Sequence, residues 1–148
     1  MILRPRRPLD LLVVHHSATL NSVTAREIGR WHALKWKFGI GYNHCIEADG
    51  YPVTGRRLQR TPAANKGWNR QSVTVCLVGD NTKNEPGYRW TSAQEAQLDN
   101  IIQFYVTAFP GMMVCGHRDL PNAETLCPGL DIGDWCKVRG IEATIFGG

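Results

Sequence analysis

The stretch Val114-Cys115-Gly116-His117-Arg118-Asp119-Leu120, followed at once by Pro121-Asn122-Ala123-Glu124-Thr125-Leu126-Cys127-Pro128-Gly129, holds residues suited to metal chemistry. A short apolar run delivers His117 to the end of a strand. After a Pro/Asn loop, Cys127 arrives just before a Pro-Gly pair that fixes a turn. An imidazole and a thiolate brought together in this way are both good ligands for zinc, which in a catalytic site takes about three protein groups and keeps a fourth position for water. The spacing is not the paired pattern of a structural zinc finger, so a third ligand has to come from elsewhere in the chain.

The elements that must position these groups can be read from hydrophobic pattern and capping signals. Leu11 to His16 is apolar on both faces and reads as a central buried strand. Thr24-Ala25-Arg26-Glu27 is a capping box that predicts a helix from Ala25 to Lys35. A strand is expected from Tyr42 to Glu47, a tight turn at Asp49-Gly50, and a return strand from Tyr51 to Gly55. Residues 61–69 read as loop with one helical turn, and Ser72 to Val78 as a second fully buried strand. Thr91-Ser92-Ala93-Gln94-Glu95 offers two overlapping capping boxes to a helix along which Leu98, Ile101, Ile102, Tyr105, Val106 and Phe109 recur at helical spacing. Met112 to Cys115 reads as the last strand, and Gly133 to Arg139 as a short terminal helix.

Strands alternating with helices predict an α/β fold, a central mixed β-sheet flanked by helices. Sites in such sheets gather at the exits of central strands, so one of His15 and His16 should meet His117 and Cys127. Strand alternation puts the two on opposite faces. Both faces are apolar, so periodicity does not choose between them.

A length of 148 residues fits one domain. Residues 1–9 stand apart as a basic Pro/Arg-rich arm, and 10–148 form the domain. A net charge of +4 is compatible with an anionic polymer such as cell wall. Beyond Arg4-Pro5-Arg6-Arg7 there is no Lys/Arg run, and no aromatic-interleaved basic helix stands out, which argues against direct nucleic-acid binding. The five cysteines are odd in number and irregular in spacing, so free thiols are expected rather than a disulfide framework. Cys45, Cys76 and Cys115 lie in apolar runs and read as small buried hydrophobes. The run Leu11-Leu12-Val13-Val14 is too short for a signal-peptide core, and nothing approaches the length of a membrane span. Synthesis in the cytoplasm, with release to any outer target by a separate route, is the expectation.

Several motifs in order carry a family resemblance: Val13-Val14-His15-His16-Ser17-Ala18-Thr19, Gly41-Tyr42-Asn43, Asp49-Gly50, Gly55-Arg56, Val75-Cys76-Leu77-Val78-Gly79, Gly116-His117-Arg118-Asp119 and Cys127-Pro128. Together, from about Leu11 to Trp135, they resemble the zinc-dependent N-acetylmuramoyl-L-alanine amidases, the fold shared by peptidoglycan recognition proteins and short phage amidases. The resemblance implies one Zn2+ per chain held by His15, His117 and Cys127, with His16 at a variable position. It implies that Tyr42 is the catalytic tyrosine and that Thr125, two residues before the cysteine, stands where some phage amidases have Lys and catalytic recognition proteins have Thr. Zinc with one thiolate leaves the site at +1, enough to make hydroxide available for attack on the lactyl amide between N-acetylmuramic acid and L-alanine. Tyr42 and Thr125 would serve as donors to the developing oxyanion. A neutral hydroxyl in place of Lys stabilises that charge less.

Relatives often have a substrate-holding His before the strand at 72–78, whereas this chain reads Ala63-Ala64-Asn65-Lys66-Gly67-Trp68. Asn65, Lys66 and Trp68 are therefore the expected substrate contacts. His44 is expected on the face of Tyr42 as a packed or pocket-wall residue, His32 as structural, and His16 as a neighbour of the ligands or a surface residue. Arg118 and Asp119 are expected to pair with each other or with backbone to hold His117. The implied partner is peptidoglycan, cut by a monomeric endolysin-type enzyme. A non-catalytic peptidoglycan-binding protein of the same fold is the alternative, disfavoured by the complete ligand set and Tyr42. Some phage relatives also bind and inhibit their phage RNA polymerase, a role the basic arm would serve.

Overall fold

The structure is a computed structural model and describes residues 5–147. Residues 1–4 of the basic arm lie outside the described residues. The strands are β1 (Leu11–His16), β2 (His44–Ile46), β3 (Pro52–Thr54), β4 (Ser72–Leu77), β5 (Met113–Gly116) and β6 (Thr144–Ile145). The helices are α1 (Ala25–Trp36), α2 (Ser92–Ala108) and α3 (Ile132–Val138). The strands form one mixed sheet in the order β3-β2-β4-β1-β5-β6, with β2–β3 antiparallel and the other pairs parallel.

β1 and β4 are buried on both faces, which puts them at the sheet centre. Leu12 and Val14 of β1 join Val73, Val75 and Leu77 of β4 beneath α2 and α3. Leu11 and Val13 point to the other face, beside Cys115 and Leu120, and α1 covers Cys45 and Cys76 on that side through Ala25 and Ile28. Both helix starts carry the expected capping boxes, Thr24 with Glu27 and Thr91 with Gln94. Gln94 does more than cap. Fully buried, its Nε2 donates to the carbonyls of Ile46 and Val78, which pins α2 to the ends of β2 and β4.

Four expectations are corrected. The last strand is β6, not the segment at 112–115; two residues at a sheet edge leave no periodicity to read. The strand expected from Tyr42 to Glu47 is shortened to His44–Ile46, because Asn43 bends the chain before it. Buried Asn43 exchanges hydrogen bonds with the backbone and hydroxyl of Thr74, and its Nδ2 donates toward the carbonyls of Arg56, Arg57 and Arg60. The bend puts Tyr42 with the α1-side residues, while His44 faces α2, so the two do not share a face. Finally, aromatic and basic residues do interleave on the exposed side of α1, as Arg30, Trp31, Lys35 and Trp36, and just past its end as Lys37 and Phe38.

His44 bonds through Nε2 to the hydroxyl of Tyr105. Burial pushes its pKa from 6.5 down to about 4. Between those values an unfolded chain binds a proton that the folded one refuses, so stability is intact above pH 6.5 and declines as pH falls through the window. The loss is on the order of 3 kcal/mol at the lower end. Replacing His44 by Gln retains a partner for Tyr105 and removes the titration. Urea melts at neutral pH and at about pH 4.5 are expected to show a smaller acid loss in His44→Gln than in wild type.

Candidate metal centre

The ligating atoms of His15, His117 and Cys127 all lie within 4.8 Å of one another. His15 comes from the exit of β1, on the face shared with Leu11 and Val13, and is 2% exposed. That face resolves the choice between the paired histidines. His117 opens a 3₁₀ turn (His117–Asp119) directly after β5. Asp119 braces it from below by accepting the Gly116 N–H at 2.8 Å. Arg118 does not pair with Asp119: its side chain lies 3.8 Å from Asp131, and its N–H donates to the Cys127 carbonyl at 2.7 Å. That backbone bond ties the histidine loop to the cysteine loop. A Cβ on Gly116 would stand 2.7 Å from Pro128 Cδ, so a glycine is required where the two loops meet.

Cys127 Sγ lies 3.6 Å from His15 Nδ1 and accepts the His16 N–H at 3.3 Å. The two imidazoles sit with ring centroids 4.6 Å apart. Burial, reinforced by the charge His117 would carry, pushes His15 down to about 3, and burial also lowers His117. Both rings are therefore neutral at pH 7, each with one basic lone pair to offer a cation. Burial pushes the Cys127 thiol up to about 12, with the His16 N–H acting against it. Two neutral imidazoles and a thiol that yields its proton only to a nearby positive charge suit a borderline-soft divalent cation. The residues fit such an ion.

Tyr42 packs over His15 with centroids 5.3 Å apart. Burial and the neighbouring thiols of Cys76 and Cys127 hold its phenol well above its ordinary pKa, so it stays protonated. A cleft of about 480 Å³ opens beside it, lined by His32, Trp36, Phe38 and Lys66 among others. A second cavity of about 200 Å³, lined by His117, Thr125, Trp68, Glu124 and again Lys66, lies on the His117 side. Thr125 is half-buried, and its Oγ1 accepts the Cys127 N–H at 3.1 Å, leaving the hydroxyl proton free for another acceptor.

Among the expected substrate contacts, Lys66 is exposed and lines both cavities. Trp68 is half-buried, its ring edge-on to Phe146 at 5.4 Å, with one side on the smaller cavity. Asn65 is placed differently from expectation. It is 1% exposed and turned inward, its Oδ1 3.0 Å from His15 Nε2, so it faces the metal ligand and not the cleft. Sequence reasoning gave no warning of this, because loop residues carry no period from which direction can be read. The neighbour of His16 was likewise missed: Asp80 Oδ1 lies 3.6 Å from its Nδ1.

A family model described as N-acetylmuramoyl-L-alanine amidase matches residues 5–130. The chain belongs to the N-acetylmuramoyl-L-alanine amidase family. Its sequence is 32% identical over 135 residues to an endolysin of Enterobacteria phage T3, covering 89% of this chain and 88% of the relative. Among solved structures, the amidase LysC from Clostridium intestinale shares the fold with a TM-score of 0.79 at 20% identity, over 92% of this chain and 88% of that one. Drosophila PGRP-LB superposes with a TM-score of 0.75 at 25% identity, over 100% of this chain and 91% of that one.

Proposed function

We propose that this chain is a zinc-dependent endolysin-type amidase that hydrolyses the lactyl amide joining N-acetylmuramic acid to L-alanine in peptidoglycan. The convergence of His15, His117 and Cys127 within 4.8 Å carries the reading, supported by membership of the amidase family. Two imidazoles and one thiolate are a donor set for a single zinc with an open position. When bound, zinc supplies Lewis acidity, which polarises a carbonyl and brings the pKa of water beside it to about 7.

The protein's own groups do the rest. Tyr42, protonated because of its burial, donates to the oxygen on which negative charge develops. Thr125 offers its remaining proton from the opposite cavity. Lys66, at the boundary of both cavities, holds the carboxylates of the stem peptide by charge. Trp68 supplies an apolar wall beside His117.

Incubation of purified sacculi with the protein is expected to release soluble peptides bearing a free amino-terminal L-alanine. Binding to sacculi without release would favour a recognition protein of the same fold over an enzyme.

Residues 10–148 act as the catalytic domain of a monomer. Among the described residues no helix is long and apolar enough to cross a membrane. Synthesis in the host cytoplasm followed by separate release to the wall completes the proposal. For a phage RNA polymerase as second partner, Arg6 is the exposed arginine among the arm's described residues, since Arg7 is spent on the carbonyls of Leu58, Arg70 and Ser72. Equal capture of polymerase by wild type and Arg6→Glu would remove the arm from that contact.

A further inference from the structure

Asn65 is almost wholly buried in a surface loop, and the hydrolysis described above makes no use of it. Its side-chain amide is bonded at both ends. Oδ1 meets His15 Nε2 at 3.0 Å, and Nδ2 donates to Ser72 Oγ at 3.0 Å. Ser72 Oγ in turn donates to the Asn69 carbonyl at 3.4 Å. Asn69 closes the frame by accepting, on its Oδ1, the N–H groups of Ala64 and Asn65 at 3.1 and 2.9 Å. Ser72 is fully buried at the start of β4, so the frame is rooted in the sheet centre.

The chain of bonds has a direction. A serine hydroxyl has one proton, and here it goes to the Asn69 carbonyl. Toward Asn65 the same oxygen can then only accept, which puts the amide nitrogen on Ser72 and the amide oxygen on His15. An amide oxygen also only accepts, so the proton of the neutral imidazole sits on Nε2 and the lone pair on Nδ1. Nδ1 is the atom that faces Cys127 Sγ.

We infer that Asn65 is a positioning residue: through Ser72 and Asn69 it locks His15 in the one neutral tautomer whose bare nitrogen points to the metal position. An amide does this without adding a charge, as a carboxylate in its place would. The geometry stands by itself, and its consequence for metal binding rests on the zinc reading above.

Two measurements test it. Nitrogen NMR of the metal-free protein reads the tautomer directly: wild-type His15 is expected in the Nε2–H form, and Asn65→Leu and Ser72→Ala to shift toward the Nδ1–H form. Zinc affinity, measured by competition with a chelating dye, is expected to fall about 10–100-fold in Asn65→Leu and to recover in Asn65→Asp, whose carboxylate accepts the same N–H while Ser72 turns its proton from the Asn69 carbonyl to the second carboxylate oxygen. Should Asn65→Leu fail to fold, Ser72→Ala carries the test, since it leaves the amide in place and removes its anchor. An Nδ1–H tautomer in wild type, or full zinc affinity in Asn65→Leu, overturns the inference. A wild-type protein with the Nε2–H tautomer but no affinity for zinc would remove the zinc reading and uphold the hold of Asn65 on the ring.

Discussion

His117→Ala is expected to leave purified sacculi undigested and to retain no stoichiometric zinc. With one imidazole gone, two donors remain, too few to hold a zinc ion tightly. The loss of activity should exceed the roughly 10²–10³-fold that a single oxyanion donor carries, because it removes the group on which the other steps depend. The fold should survive. His117 is half-buried, it follows β5 and is not part of it, and the neighbouring loop remains tied by the Arg118 N–H to Cys127. Metal analysis beside a thermal melt separates the explanations: a folded, zinc-free, inactive protein is the expected result, and a zinc-loaded one would mean that the three side chains do not act together.

Tyr42→Phe is expected to show the opposite combination, full zinc content with turnover reduced about 10²-fold or more. The ring, which packs on His15 and His32, is kept, and so is the shape of the cleft. Only the phenolic hydroxyl, with its contact to the Cys76 thiol, is lost. Since that phenol stays protonated well beyond neutral pH, the defect should be of similar size across the neutral range and fall on kcat more than on KM. Unchanged turnover in this variant would take the tyrosine out of the mechanism.

The central strands and both long helices were legible in the sequence for physical reasons. Strands buried on two faces announce themselves as unbroken apolar runs, as Leu11–His16 and Ser72–Leu77 do, and the Thr24 and Thr91 boxes mark where helices begin. Convergence of a β1 histidine on His117 and Cys127 followed from strand exits at the sheet centre. Which histidine did not follow, since both faces of β1 are apolar, and the family pattern had to supply it.

The rest depended on side chains that break their local rule. Asn43 is a buried polar residue that bends the chain and turns Tyr42 away from His44. Asn65 is a loop residue aimed inward, and the reason lies in Ser72 and His15, distant in sequence and adjacent in space. Neither is a matter of pattern, so neither could be read before the sheet had been assembled.

The first and last of the three donors are separated by 112 positions in the chain. A ribosome therefore makes His15 long before it makes the sulfur that completes the trio, and the turn carrying that sulfur packs through Pro128 against Gly116 at the end of β5. A chain that stops before Cys127 has two of the three donors and is expected to bind zinc weakly.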